Sequence, residues 1–154
     1  MLSLQTRLKL VQSVIMPIFT YCDAVYYPGL TVNLKDRLHR CFKSTLRFVH
    51  GLRRRDSTEA VRSSILGHDL PANYKLRICC IMRQAYFNQL PNYIMEHVQH
   101  GRQERTRSFI VPRHTTSSGK SLLVHGTSSW NGVPLEVRTK PSLMSFKAAF
   151  KRLV

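Results

Sequence analysis

An all-α (mainly α) fold is predicted for this 154-residue chain by three observations. Apolar residues recur at the 3.6-residue period of a helix in four separate segments. Those segments are bounded by residues that start and stop helices. A hydrophobic content of 43% with mixed charge is enough to build a core and argues against wholesale disorder. By length the chain is one domain, or a compact bundle with an appendage. Residues 1–100 are expected to form the bundle; residues 101–154 supply a basic irregular segment, a Trp-Asn-Gly-Val-Pro segment and a C-terminal helix packed on it.

The first helix follows from Leu4, Leu8, Val11 and Ile15, with Pro17 expected to close it. "PIFTYCDAVYYPG" then reads as a short strand or a packed connector ending at Pro28-Gly29. Residues 32–50 carry the cleanest pattern: Leu34, Leu38, Cys41, Phe42, Thr45, Leu46, Phe48 and Val49 fall within an arc of about 160° at 100° per residue. Thr31 can cap this helix and Gly51 can end it. Asp56 and Glu59 stand at N-cap and N3 spacing for a short helix to Leu66. Pro71 suits the first turn of a helix over 71–88, expected to be the most buried because its apolar residues cover most of its circumference.

A short helical piece restarts after Pro91. From Gly101 to Gly119 the composition turns to Arg, Ser, Thr and His, which predicts a long surface segment with a short strand at 108–111. In "SSWNGVPLEVR" (128–138), Asn131-Gly132 is a hairpin dipeptide, but its flanks do not alternate. Trp130 is therefore expected to anchor an irregular segment, Asn131-Gly132 to turn the chain, and Pro134 to open a helical turn through Arg138. Ser142 caps a final helix that docks through Leu143, Phe146, Phe150 and Leu153.

Charge is the strongest compositional signal, with 24 Lys and Arg against 8 Asp and Glu, a net +16. A polyanion is the natural partner for such a chain, and nucleic acid leads because phosphate contacts release condensed counterions. An anionic membrane would usually want bases beside a long apolar face or a lipid anchor. No apolar run is expected to reach the roughly 20 residues of a spanning helix. Arg7 and Lys9 interrupt the N-terminal apolar pattern, unlike a secretory signal. Cys22, Cys41, Cys79 and Cys80 lack zinc-type spacing and read as core thiols in a reducing compartment. An intracellular, non-secreted protein is expected, with the nucleus open to it.

Two basic stretches are candidates for phosphate contact. Lys35, Arg37, Arg40, Lys43 and Arg47 line the polar side of the 32–50 helix, and Arg53, Arg54 and Arg55 follow it. Residues 35–62 hold nine bases and three acids, a net +6 that intrahelical pairing cannot neutralise. The competing reading is an ordinary solvated face. The second stretch, Arg102, Arg105, Arg107, Arg113 and Lys120, is either a phosphate-tracking arm or a solubilising loop. Catalysis finds little support. The acids are scattered, His97 and His100 at i, i+3 have no second cluster, and no nucleotide-binding, hydrolase or metalloprotease motif occurs.

Several segments together resemble the end of LINE-type (non-LTR) retrotransposon reverse transcriptases of the jockey-like kind. "LVQSVIMPIFTYCDAVYY" is similar to the block that follows the palm, "LKDRLHRCFKSTLRFVHG" to the basic helix after it, and "LPANYKLRICCIMRQAYFNQLPNYI" to the next helix with its Pro-Tyr-Ile ending. "RTRS" and "WNGVPLEVRTKPSLMSFKAAFKRL" resemble the closing signature. Tyr26 stands where the family commonly has Trp, and the Tyr-Ala-Asp-Asp catalytic motif has no counterpart.

The resemblance implies a thumb-like bundle plus C-terminal region that grips an RNA/DNA template-primer. The palm and fingers would be its missing partners. No catalytic residue carries over and no cofactor is expected for this chain, whereas the full-length polymerase would imply Mg²⁺. The start within a thumb helix fits either a partial gene model or a 5′-truncated copy. Without a palm, Leu4, Leu8 and Val11 are expected to be partly uncovered. The alternatives are a non-functional remnant, or an independent basic helical adaptor for an acidic protein or membrane partner.

Overall fold

A computed structural model describes residues 2–115 and 121–153, and the fold is all-α. Among the described residues no sheet forms; an isolated bridge pairs His100 with Phe109. The chain divides into two compact units, Met1–Tyr74 and Lys75–Val154, and the border between them falls within a helix.

The first unit opens with α1 (Leu4–Leu10), capped by Ser3, whose hydroxyl accepts from the Thr6 amide. Pro17 does not close this element. A π-helical turn, Val11–Ile15, leads into α2 (Met16–Thr20), and the Met16 amide reaches back five residues to the Val11 carbonyl. Proline has no N–H and its ring crowds the carbonyl four residues back; the wider turn makes room for it without ending the helix. The break comes later, where Tyr21 is extended and Cys22 is left-handed at φ 51°. Such a conformation costs a non-glycine residue roughly 1–2 kcal/mol, offset here by the Cys22 carbonyl accepting from Val25 and Tyr26.

The connector is then helical rather than extended, with α3 (Asp23–Tyr26) followed by a 3₁₀ turn, Tyr27–Gly29. By length and composition alone the helical run Leu4–Gly29 is long and apolar enough to cross a membrane, which local inspection of the sequence does not anticipate. Within it Val11, Met16 and Phe19 are buried in the core of the unit. Val11 is thus fully covered, while Leu4, Leu10, Val14, Ile18, Tyr21 and Val25 are exposed.

Helix α4 (Val32–His50) has the predicted bounds. The Thr31 hydroxyl accepts from the Leu34 amide at 3.4 Å, and Gly51 closes the helix at φ 66° with its amide on the Arg47 carbonyl. Arg7 adds a second closure by donating to the Phe48 carbonyl at 2.9 Å, a cation at the negative end of the helix dipole. The buried stripe is narrower than the apolar arc: Phe42, Thr45, Leu46 and Val49 are buried, whereas Leu34, Cys41 and Phe48 are exposed. Phe42, Leu46 and Val49 pack with Val11, Met16, Phe19, Ile65 and Leu70, with Phe19 and Phe42 edge to face at 5.9 Å. A β-carbon at Gly51 would be left-handed and only 3.2 Å from the Arg7 guanidinium. Gly51→Ala should therefore cost about 1–2 kcal/mol, read as a lower urea midpoint at constant m. A shift worth less than about 0.5 kcal/mol would contradict this closure.

The segment after α4 does not form the helix expected to Leu66. Only a 3₁₀ turn, Glu59–Val61, appears there, followed by turns. Asp56 is not its cap, because its carboxylate turns back to the Arg53 amide at 2.7 Å. Asp69 is the effective cap further on, accepting from the Ala72 amide as α5 (Leu70–Tyr86) begins. Helix α5 is heavily buried, as its all-round apolar pattern predicts, including Ile78, Cys79, Met82 and Ala85.

The second unit continues with α6 (Asn92–Met95), a 3₁₀ turn at Glu104–Thr106, α7 (Leu122–Asn131), α8 (Leu135–Arg138) and α9 (Leu143–Lys151). Helix α7 replaces the irregular segment predicted there. Its Gly, Thr, Ser and Asn residues are weak helix formers. It is nevertheless capped by Ser121 and buries Val124, Gly126, Thr127 and Trp130. At Gly126 a β-carbon would lie 2.7 Å from the Met82 sulfur, so the glycine permits a close approach to α5.

Asn131-Gly132 forms no hairpin, but the chain does turn at Gly132, directly after α7. Asn131 is the last helical residue and Gly132 sits at φ −76°. Pro134 opens α8 as expected, and Ser142 caps α9 with a reciprocal Ser142–Ser145 box. Phe146 and Phe150 are buried, whereas Leu153 is exposed.

Candidate nucleic-acid interface

The basic stripe is a product of α4's regularity. At 100° per residue Arg37, Arg40, Lys43 and Arg47 fall within an arc of about 120°, spaced by roughly 4.5–6 Å along the axis. Arg37, Arg40 and Lys43 are exposed. Arg40 donates from Nε to the Asp36 carbonyl, a bond within its own helix. Among the described residues the side chains of Arg37 and Lys43 have no protein partner, and the same holds for Arg53, Arg54 and Arg55, all exposed just past Gly51.

One acid, the exposed Asp36, shares this face of α4, and the acids of the following loop are committed elsewhere. Arg62 pairs with Glu59 at 3.1 Å and with Asp69, which together hold its pKa above the ordinary guanidinium value. With four bases against the single carboxylate of Asp36, the stripe stays net positive.

Two members of the predicted set are used by the fold. Arg47 is half-buried and donates from Nε and Nη2 to the Asp56 carbonyl at 3.3 Å each, clamping the loop after α4. Lys35 leaves the stripe and places its ammonium over the Tyr27 ring, 5.2 Å from the centroid, a cation–π contact. Tyr27 in turn stacks on Tyr74 at 4.5 Å. Its phenol is raised above the usual value, first by burial and then by the charge of Asp69.

The second basic stretch lies in the other compact unit, and its members differ. Arg102, Arg105 and Arg113 are exposed, while Lys120 lies outside the described residues. Arg107 is half-buried and left-handed at φ 45°; its carbonyl accepts from Trp130 Nε1 at 2.7 Å and from Arg138 Nη1 at 3.3 Å. Its guanidinium lies 5.9 Å and 5.8 Å from the ring centroids of Tyr86 and Phe87. The predicted strand at 108–111 shrinks to the His100–Phe109 bridge, flanked by Gly101 N–H to Ser108 O and Ile110 N–H to Gln99 O, both 2.8 Å. Asn131 supplies what a third strand would: its Oδ1 accepts from the Phe109 amide and its Nδ2 donates to the Phe109 carbonyl.

Local sequence reading does not separate these structural arginines from free ones. Arg83 is buried, donating to the Lys140 and Pro141 carbonyls at 3.1 Å and 2.8 Å, with its guanidinium 4.6 Å from the Phe87 ring centroid. Arg138 is also buried; burial pulls it below the usual guanidinium value, yet an arginine stays charged at neutral pH. Formal charge therefore overstates the charge that can meet a ligand.

The cysteines split in the same way. Burial pushes Cys79 up to about 12 and raises Cys80, as suits core thiols. Cys22 and Cys41 are exposed, against expectation. His100 packs edge-on to Tyr86 at 5.2 Å, so it serves an aromatic cluster. Among the described residues no three His, Cys, Asp or Glu side chains gather where a metal ion could sit.

The chain matches no protein-family model, no curated protein and no solved structure.

Proposed function

We propose that this chain is the thumb and C-terminal portion of a LINE-type reverse transcriptase, without catalytic activity by itself, and that it binds RNA/DNA template-primer through the basic face of α4. One observation carries the binding part: Arg37, Arg40 and Lys43 stand exposed on one face, followed by exposed Arg53–Arg55, with Asp36 the one carboxylate on that face of α4 and Glu59, Asp69 and Asp56 engaged by Arg62 and the loop backbone. A flexible row of cations of this kind suits phosphates and carries no base readout. The family origin rests on the five ordered sequence motifs alone.

The test is fluorescence anisotropy of a labelled RNA–DNA primer-template across a salt series. The expected plot of log affinity against log salt is linear with a slope of about −3 to −6, since each phosphate contact contributes up to about −0.9. Undetectable binding at low salt would sink the proposal.

A second reading, an anionic-membrane module, is favoured by the exposed apolar residues of Leu4–Gly29 on a strongly basic chain. Anionic vesicles added as competitor decide between the two. Displacement of the duplex at vesicle concentrations well below those of competing free duplex favours the membrane; no displacement favours nucleic acid.

A further inference from the structure

We propose that a cleft in the second compact unit binds a small organic anion, a largely apolar or aromatic body carrying one carboxylate or phosphate. The cleft, of about 510 Å³, lies within the size range of small-molecule sites. Its polar rim comes from two helices. His125, Ser128 and Ser129 stand at i, i+3 and i+4 of α7 and so share a face, and Lys75 stands on α5.

Among the described residues no carboxylate lines the cleft and the Lys75 ammonium has no ion-pair partner. The Ser129 hydroxyl and His125 Nδ1 are already joined at 3.3 Å, which orients both groups. Ser128 is exposed beside them. An ammonium with neighbouring serine hydroxyls is a donor set for an anionic head and repels a cation.

The floor is of different character. Cys79 and Phe150 are buried at 1% and 5% exposure, presenting a thiol and an aromatic ring. Burial holds the Cys79 thiol up at about 12, so the floor is neutral and apolar at physiological pH and offers no thiolate to oppose an anion. An apolar floor under a cationic, hydroxylated rim selects a molecule of matching polarity, with its head at Lys75 and its body on Phe150. Carboxylate and phosphate heads share this chemistry, and the choice between them is left to the experiment.

The test titrates the full ¹⁵N-labelled chain with decanoate and with adenosine monophosphate, and in parallel with decanol, adenosine and inorganic phosphate. The amides of Ser128, Ser129 and Gly132 report. Saturable shifts there with decanoate or the nucleotide are expected, with the matching neutral compound about tenfold weaker, the worth of one charge-assisted hydrogen bond. Whichever anion binds more tightly identifies the source. Lys75→Gln should weaken binding about tenfold by the same reasoning, and Ser128→Trp, at an exposed rim position, should abolish it while the remaining spectrum stays dispersed. The proposal is overturned if neither anion saturates those amides at millimolar concentration. It is equally overturned if anion and neutral partner bind alike, if inorganic phosphate binds as well as either organic anion, or if Lys75→Gln leaves affinity unchanged.

Discussion

Trp130→Ala should destabilise the protein by about 3–5 kcal/mol, the cost of emptying a fully buried aromatic site. Trp130 has no exposed surface and sits among Tyr86, Phe109 and Phe146, at centroid distances of 6.4, 6.2 and 5.8 Å. Its indole N–H also donates to the Arg107 carbonyl at 2.7 Å, where the backbone is held left-handed. Truncation leaves a cavity lined by aromatic rings and removes one of that carbonyl's two donors; Arg138 remains as the other. Domains of this size are stable by only about 5–15 kcal/mol, so the loss is a large share of the total.

Urea unfolding followed by circular dichroism is the suitable measurement, since the variant removes the only tryptophan. Trp130→Phe separates the two contributions: most of the apolar contact persists, and a loss of about 1–2 kcal/mol is expected from the hydrogen bond and the smaller ring. A Trp130→Ala loss below about 1 kcal/mol would mean that this residue is not the centre of the second unit's core.

The triple reversal Arg37→Glu, Arg40→Glu and Lys43→Glu should weaken primer-template binding by at least about 100-fold at low salt and lower the salt slope by about 3, one per lost phosphate contact. These three side chains are exposed and make no contact across the core, so the variant should unfold at nearly the wild-type urea concentration. Arg47 is left intact on purpose, because it clamps the Asp56 carbonyl and its loss would mix folding with binding. Unchanged affinity and slope in a folded triple variant would remove α4 from the interface. Reversal of Arg102, Arg105 and Arg113 then provides the comparison for the second basic stretch.

Elements whose signals are local follow from sequence alone. Helix α4 runs from Val32 to His50 because Thr31 can cap it, Gly51 can go left-handed and the apolar residues recur on one face. Helix α9 begins at its Ser142 cap for the same kind of reason. The basic stripe of Arg37, Arg40 and Lys43 is likewise a consequence of periodicity, as is the heavy burial of α5.

What tertiary structure decided are the places where a distant partner overrides local preference. Helix α7 is built from poor helix formers, but its capping, the close approach of Gly126 to Met82 and the burial of Trp130 compensate. The helix passes Pro17 through a π turn and stops instead at a left-handed Cys22. Asn131 closes no hairpin and instead holds both backbone polar groups of Phe109. The arginines divide most clearly. Arg7, Arg47, Arg83 and Arg138 end on backbone carbonyls that the chain's own order does not reveal, whereas Arg37 and Arg53–Arg55 end in solvent. Composition determined that the protein is strongly basic; only packing determined which of those charges remain free, because a guanidinium is committed by carbonyls that folding, not sequence proximity, brings within reach.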